Sequence, residues 1–230
     1  GVHEMDIARW AIKGATMPNR VWSIGGRYVP GEKDQGQTPN MQISVYEYDE
    51  AILLFETRGL VGKSGSPDRN VSNEYYTTEG MIKGGTFYPK NGGASVKAKG
   101  EAAAVTPGGA FGSFIHAVRS RDNADINCDA EVAHYSAALC HLGNISYRLG
   151  KQDAFSGNNN PFGKNEQIKS SLDMLQNNLK AVNIDLNETT VAVGRDLKFD
   201  PATESFPDDK QADALLTRPY RKPYVVPEIS

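Results

Sequence analysis

Cysteine is nearly absent: Cys128 and Cys140 are the two in 230 residues. Neither their number nor their spacing makes a disulfide framework or a CxxC pair, so two buried free thiols are expected. Long apolar runs are also missing. The longest, Ala51-Ile-Leu-Leu-Phe55, has the size of a strand and falls far short of a membrane span. Charge of one sign is not in excess, with 25 Lys and Arg against 28 Asp and Glu for a net charge of -3. That balance, with no run of Lys or Arg, argues against a nucleic-acid partner. No GxGxxG follows a strand, so a dinucleotide fold is not encoded in these residues. Gly62-Lys63-Ser64 has the look of a P-loop end, but the glycine needed five residues before Gly62 is Thr57, which rejects it. His134 and His141 lie two helical turns apart, too far to share an ion without further ligands, so no metal site is expected. Three glycosylation sequons, at Asn70, Asn144 and Asn187, are read as chance, since Asn144 falls within a helix.

What remains is ordinary globular chemistry. Hydrophobic residues at 39% and charged residues at 23% suffice for one core in a chain of this length, with room for a small satellite. Val2, Met5, Ile7, Ala8, Ala11 and Ile12 fall at helical spacing, and Gly14 and Pro18 stop that helix. His3, Ile7, Trp10 and Gly14 make the adjoining stripe. Val21–Ile24 and Gly26–Val29 read as one strand with a glycine break. Met41, Ile43 and Val45 alternate with Gln42, Ser44 and Tyr46, and a turn at Asp49-Glu50 leads into a strand over 51–60. Short turns between strands imply antiparallel pairing. A hairpin is expected at Tyr75–Thr78 and Met81–Lys83, with Ser95–Lys99 as a further edge. Helices follow over Phe111–Ser120 and Ala130–Leu149, then a polar loop over Asp153–Gly163. Ile168, Leu172, Leu175 and Leu179 mark another helix. A strand over Val191–Phe199, a short helix over Gln211–Thr217 and an extended strap from Arg218 complete the chain. The fold class expected is α+β: an open, mainly antiparallel sheet with helices packed on one face. Residues 1–150 would form the core of a single domain and 151–230 an extension with a C-terminal strap. Tyr46, Tyr48, Ile52 and Leu54 would leave one sheet face apolar and in need of cover, which predicts a homodimer or tetramer formed through the sheets.

Gly1-Val-His-Glu-Met-Asp-Ile-Ala-Arg-Trp10 holds the best chemical candidate. An imidazole titrates near neutrality and can carry a proton to or from a hydroxyl, which suits His3 to acid/base work. Asp6, one turn on, can orient that ring or bind a sugar hydroxyl. This segment resembles the "G-x-H-E-x-D-x-x-R-W" stretch of the Gfo/Idh/MocA oxidoreductases, the glucose–fructose oxidoreductase and inositol dehydrogenase family. Further stretches resemble its bacterial-type C-terminal domain: Gln37-Thr-Pro-Asn40, Phe55–Leu60, Glu79-Gly80, Ala117–Arg121, Leu139–Gly150 and Arg218–Pro223. They run in order along the whole chain.

The resemblance implies an enzyme acting on a sugar or sugar-derived alcohol or ketone with NAD or NADP. An N-terminal Rossmann domain would hold the cofactor and a catalytic lysine in a Glu-Lys-Pro segment. Both would precede Gly1, since the chain begins inside a helix, so these 230 residues alone should neither bind the cofactor nor turn over substrate. The family's catalytic histidine maps onto His3. Gln37, Asn40, Glu56 and Arg58 sit at strand ends or on one strand face where a sugar could meet them, although Glu56 and Arg58, at i and i+2, are equally suited to pair with each other. Two rivals fit the same residues: an NAD-dependent glycosidase working by transient oxidation and elimination, and a non-catalytic carbohydrate-binding or assembly module. The compartment is open between a bacterial cytoplasm and the periplasm.

Overall fold

The computed structural model describes residues 1–29, 34–61, 71–100, 104–155 and 160–226. Gly62-Lys63-Ser64, Asn70 and residues 156–159 of the polar loop lie outside them. The chain divides into two compact units: residues 1–13 with 70–138, and residues 14–69 with 139–230. Each is α+β with antiparallel strand pairing.

The first unit opens with α1 (Val2–Trp10), a nine-residue helix without a side-chain cap at its start. Gly14, at φ +70°, lies in the connection that leaves it. After it come β4 to β7, counted after the three strands of the other unit: β4 (Glu74–Tyr76), β5 (Gly80–Lys83), β6 (Thr86–Pro89) and β7 (Val96–Lys97), paired in that order as a meander. The expected hairpin and edge are present. Thr86–Pro89 is an additional strand, turned back on β5 by Gly84 and Gly85, both in the left-handed region. Helix α2 (Gly109–Ser120) leads to a 3-10 turn at Asn123–Asp125 and then to α3 (Ala130–Arg148), whose first half belongs to this unit. Phe111, Phe114, Ile115 and Val118 follow one face of α2 and are exposed, Phe111 by 85%.

The second unit is built on a six-stranded sheet. β3 (Ile52–Arg58), β2 (Met41–Glu47), β1 (Arg20–Gly26), β9 (Thr190–Val193) and β8 (Lys151–Ala154) lie side by side in that order, and β10 (Leu197–Lys198) also pairs with β1. The extension expected over 151–230 thus supplies three strands of this sheet, and the strand expected over Val191–Phe199 is two, β9 and β10. α4 (Glu166–Ala181) begins with Asn165 accepting from the backbone of Gln167 and Ile168, the usual N-cap arrangement. α5 (Lys210–Asp213) is capped in the same way by Asp209.

Helices cover both faces of this sheet, not one. Trp22 and Ile24 of β1 and Met41, Ile43 and Val45 of β2 pack with Ile168, Leu175 and Leu179 of α4. Ser23, Ser44 and Tyr46 point the other way, onto the second half of α3. Ser23 Oγ donates to the Gly143 carbonyl at 2.8 Å and Tyr46 Oη to the Leu139 carbonyl at 2.7 Å. Ser146 Oγ accepts from the Ser23 amide at 2.9 Å and donates to the Arg195 carbonyl at 2.7 Å. Hence Val21–Gly26 is buried without alternation, as a strand covered on both faces must be.

The apolar face expected to bind a second copy is therefore not one surface. In the β2–β3 register Tyr46 opposes Leu53, whereas Leu54 opposes Val45. Tyr46 lies under α3, Leu54 packs on the α4 side, and only Ile52 of the four is exposed. Cys128 and Cys140 are free thiols, but neither is fully buried: Cys128 is exposed in the loop before α3, and Cys140 is half-buried on that helix. Among the described residues no helix is long and apolar enough to cross a membrane, and no cluster of three His, Cys, Asp or Glu side chains is placed to hold a metal.

Candidate functional site

α1 has two distinct sides. Met5 is fully buried and Arg9, one turn on, is 7% exposed, while His3, Ile7 and Trp10 are all exposed. The helical period puts Met5 and Arg9 on one side and His3, Ile7 and Trp10 on the other. His3 thus stands in the first turn with its ring in solvent, next to the aliphatic side chain of Ile7. That exposure makes the ring accessible for proton exchange with a bound hydroxyl.

Asp6 is engaged differently from a free substrate ligand. Its Oδ1 accepts a hydrogen bond from Ser136 Oγ and lies 3.5 Å from Arg9 Nη2. Arg9 in turn donates from Nε to Ser136 Oγ at 3.2 Å and from Nη2 to the Val132 carbonyl at 3.4 Å. Its guanidinium also stands 5.7 Å from the centre of the Tyr135 ring, within the range of a cation–π contact. The Glu4 carbonyl accepts from Asn73 Nδ2 at 3.2 Å. Sequence reasoning had no means to find Ser136, which is 130 residues away from Asp6. The Asp6–Arg9 spacing of i, i+3 was the readable half of this cluster.

Gln37, Asn40 and Arg58 belong to the second unit. Gln37 is exposed in the loop before β2. Arg27 braces that loop on either side of it, pairing with Asp34 and donating to the Thr38 carbonyl at 2.9 Å. The Arg27 guanidinium holds the Asp34 carboxyl down to about 2. Asn40 spends both ends of its amide on one neighbour: Nδ2 donates to the Tyr28 carbonyl at 2.7 Å and Oδ1 accepts from the Tyr28 amide at 3.0 Å. Its own carbonyl accepts from the Gly59 amide at 2.7 Å. Arg58, opposite Met41, is therefore at the same end of the β2–β3 pair as Asn40. Arg58 Nε lies 3.4 Å from Glu56 Oε2, the pairing their i, i+2 spacing allowed, and Nη1 lies 3.3 Å from Met174 Sδ. Met174 also lines an open, polar groove along α4 with Glu166, Lys169, Ser170, Asp173 and Asn177.

One pair went unnoticed in the sequence. His116 Nδ1 of α2 lies 3.1 Å from Asp125 Oδ2. The Ser120 hydroxyl first, and His116 second, hold the Asp125 carboxyl below its usual range. His116 is 58% exposed, so this pair is a surface contact that ties the 3-10 turn to α2.

A dinucleotide needs backbone amides at a helix start that directly follows a strand of a parallel sheet. The glycine-rich start of α2 is the nearest approach. Gly108 and Gly109 have φ of +92° and +62°, but the preceding strand is the two-residue antiparallel edge β7, and the first turn presents exposed Phe111. These residues do not fit a pyrophosphate. Comparison with protein-family models, with curated proteins and with solved structures finds no match to this chain.

Proposed function

We propose that this chain is the substrate-binding domain of an NAD(P)-dependent oxidoreductase of the Gfo/Idh/MocA type, acting on a sugar or a sugar-derived alcohol or ketone. The observation that carries the reading is His3. It lies in the resembling segment Gly1–Trp10 and is exposed on a helix whose other side is buried, where its imidazole is accessible to a substrate hydroxyl. The antiparallel α+β architecture is compatible with that family's C-terminal domain. The nicotinamide cofactor would be held by a separate Rossmann domain, because the glycine pair of α2 does not fit it. The part of these residues is to hold the sugar and to move one proton at its hydroxyl oxygen through the imidazole of His3.

The test uses a protein in which this chain follows its dinucleotide-binding domain. His3→Ala should lower turnover of sugar alcohols by about 10²–10⁴-fold, the range for loss of a general acid/base, with cofactor affinity unchanged. Near-normal turnover in that variant overturns the assignment. Cleavage of glycosides with no net reduced cofactor would instead identify the glycosidase chemistry. Sugar binding with neither activity would identify a binding module.

A further inference from the structure

We propose that Arg9 and Ser136 are positioning residues, acting through Asp6 to hold α1 so that His3 has one orientation; this rests on the reading of His3 as the acid/base group. The argument starts from the helix itself. Nine residues with no side-chain cap are too few to stay helical unaided, since isolated helices shorter than about 12–15 residues are marginal in water. Apolar packing supplies a single large anchor: of the large apolar side chains of α1, Met5 is buried while Val2, Ile7 and Trp10 are exposed. One buried apolar side chain leaves the helix free to turn about it, so what fixes the rotation of α1 about its axis is the polar cluster of Asp6, Arg9 and Ser136.

That cluster is closed. Ser136, 2% exposed on α3, presents one oxygen that accepts from Arg9 Nε and donates to Asp6 Oδ1, while Arg9 also meets Asp6 and the Val132 carbonyl. A guanidinium this deeply buried is tolerated only when paired and hydrogen-bonded, and it loses heavily if one partner is removed. Asp6 and Arg9 flank the turn of helix that follows His3, so any slackening of the cluster passes directly to the first turn. Asp6 on this account holds the helix and does not touch the sugar.

Two measurements on the protein with its dinucleotide-binding domain decide the matter. The first is amide hydrogen exchange. Ser136→Ala should speed exchange of the α1 amides about tenfold or more while leaving β1–β3 unchanged, because stability is lost locally. Unchanged exchange in α1 overturns the proposal. Arg9→Lys keeps the charge but not the planar fork, and should give a smaller change in the same direction. The second is a double-mutant cycle on turnover. Ser136→Ala should lower kcat by about ten- to a hundredfold, the scale of an ångström-level misplacement, with KM for the cofactor unchanged. In a His3→Ala background the same substitution should have less than about a twofold effect, because there is no longer an imidazole to misplace. Equal loss in both backgrounds means the cluster is structural only and overturns the positioning role. Full turnover in His3→Ala overturns the acid/base reading of His3, and with it the catalytic purpose of the cluster, whatever the exchange result shows.

Discussion

Asn40 shows how a residue suited to meeting a sugar can be taken up by the fold. A primary amide has one strong acceptor and two donor hydrogens. Here the acceptor and one donor close a ring with the backbone of Tyr28, and the Asn40 carbonyl takes the Gly59 amide. The residue therefore fastens the chain leaving β1 to the start of β2 and the end of β3. Asn40→Ala would strand the Tyr28 amide and carbonyl in a half-buried place, and should cost about 1–2 kcal/mol in denaturant unfolding. Substrate affinity falling at unchanged stability would show instead that the amide serves a ligand. Arg20 has the same kind of place. It reaches Asp196 from two nitrogens, both at 2.7 Å, meets Glu47 at 3.3 Å, and stands 4.3 Å from the centre of the Phe162 ring. A planar guanidinium makes that set and an ammonium cannot.

Among the elements, the second half of α3 approaches the sheet of the second unit closely at Gly143. A Cβ built there would collide with the Tyr46 hydroxyl and press on Ser44, so the hydrogen bonds from Ser23 and Tyr46 to helix carbonyls depend on that missing methyl. Gly143→Ala should destabilise by about 1–3 kcal/mol through overpacking, despite alanine's better helix propensity. Adding Tyr46→Phe removes the oxygen that the methyl meets, so the double variant should lose less than the sum of the two; strict additivity in thermal unfolding would refute the contact. α4 was legible in the sequence because Ile168, Leu172, Leu175 and Leu179 repeat at the helical period and one face is all they need. β2 was legible for the same reason at period two. α1 misled in part: of the face Val2, Met5, Ile7, Ala8, Ala11 and Ile12, Met5 is buried as its spacing suggests, but Val2 and Ile7 are exposed and Arg9 is buried instead, since a guanidinium with partners elsewhere in the chain can take an interior place that no local pattern announces. β8 escaped notice because all four of its residues are exposed, so Lys151-Gln-Asp-Ala154 shows no apolar alternation. The cover on the second sheet face was legible in part. Val21-Trp-Ser-Ile-Gly-Gly26 lacks the alternation of a half-exposed strand, but small polar Ser23 and Ser44 hid the packing of a helix against them. At the candidate site His3 was readable from its segment, whereas Ser136 was not, because side-chain hydrogen bonds over such separations leave no periodic trace.

For the molecule as a whole, the carboxylates set the response to acid. Among the described residues, four aspartates are held below their usual range: Asp34 by Arg27, Asp209 by Arg195, Asp200 by the Thr203 hydroxyl, and Asp125 by the Ser120 hydroxyl. In each case the first-named partner favours the charged form, so the folded chain binds a proton less readily than the unfolded one, whose aspartates titrate near about 3.9. Stability from such groups is fully present above the unfolded value and drains away as pH falls through the lower folded one. The thermal midpoint should therefore stay level from about pH 7 down to about pH 5, then decline below about pH 4. The second unit holds three of the four, Asp34, Asp200 and Asp209, against Asp125 in the first, so it should lose stability more steeply. Trp22, 1% exposed in that unit, provides the fluorescence probe. Asp209→Asn should lower the midpoint at pH 7, where the charge accepts from Arg195 Nη1 at 2.6 Å and from the amides of Gln211 and Ala212 at the start of α5. As the pH falls and Asp209 takes up its proton in the parent as well, the two proteins should converge. A decrement that stays constant across the whole range would mean that the lost interaction is packing, and that the depressed carboxylate of Asp209 has no share in the acid response.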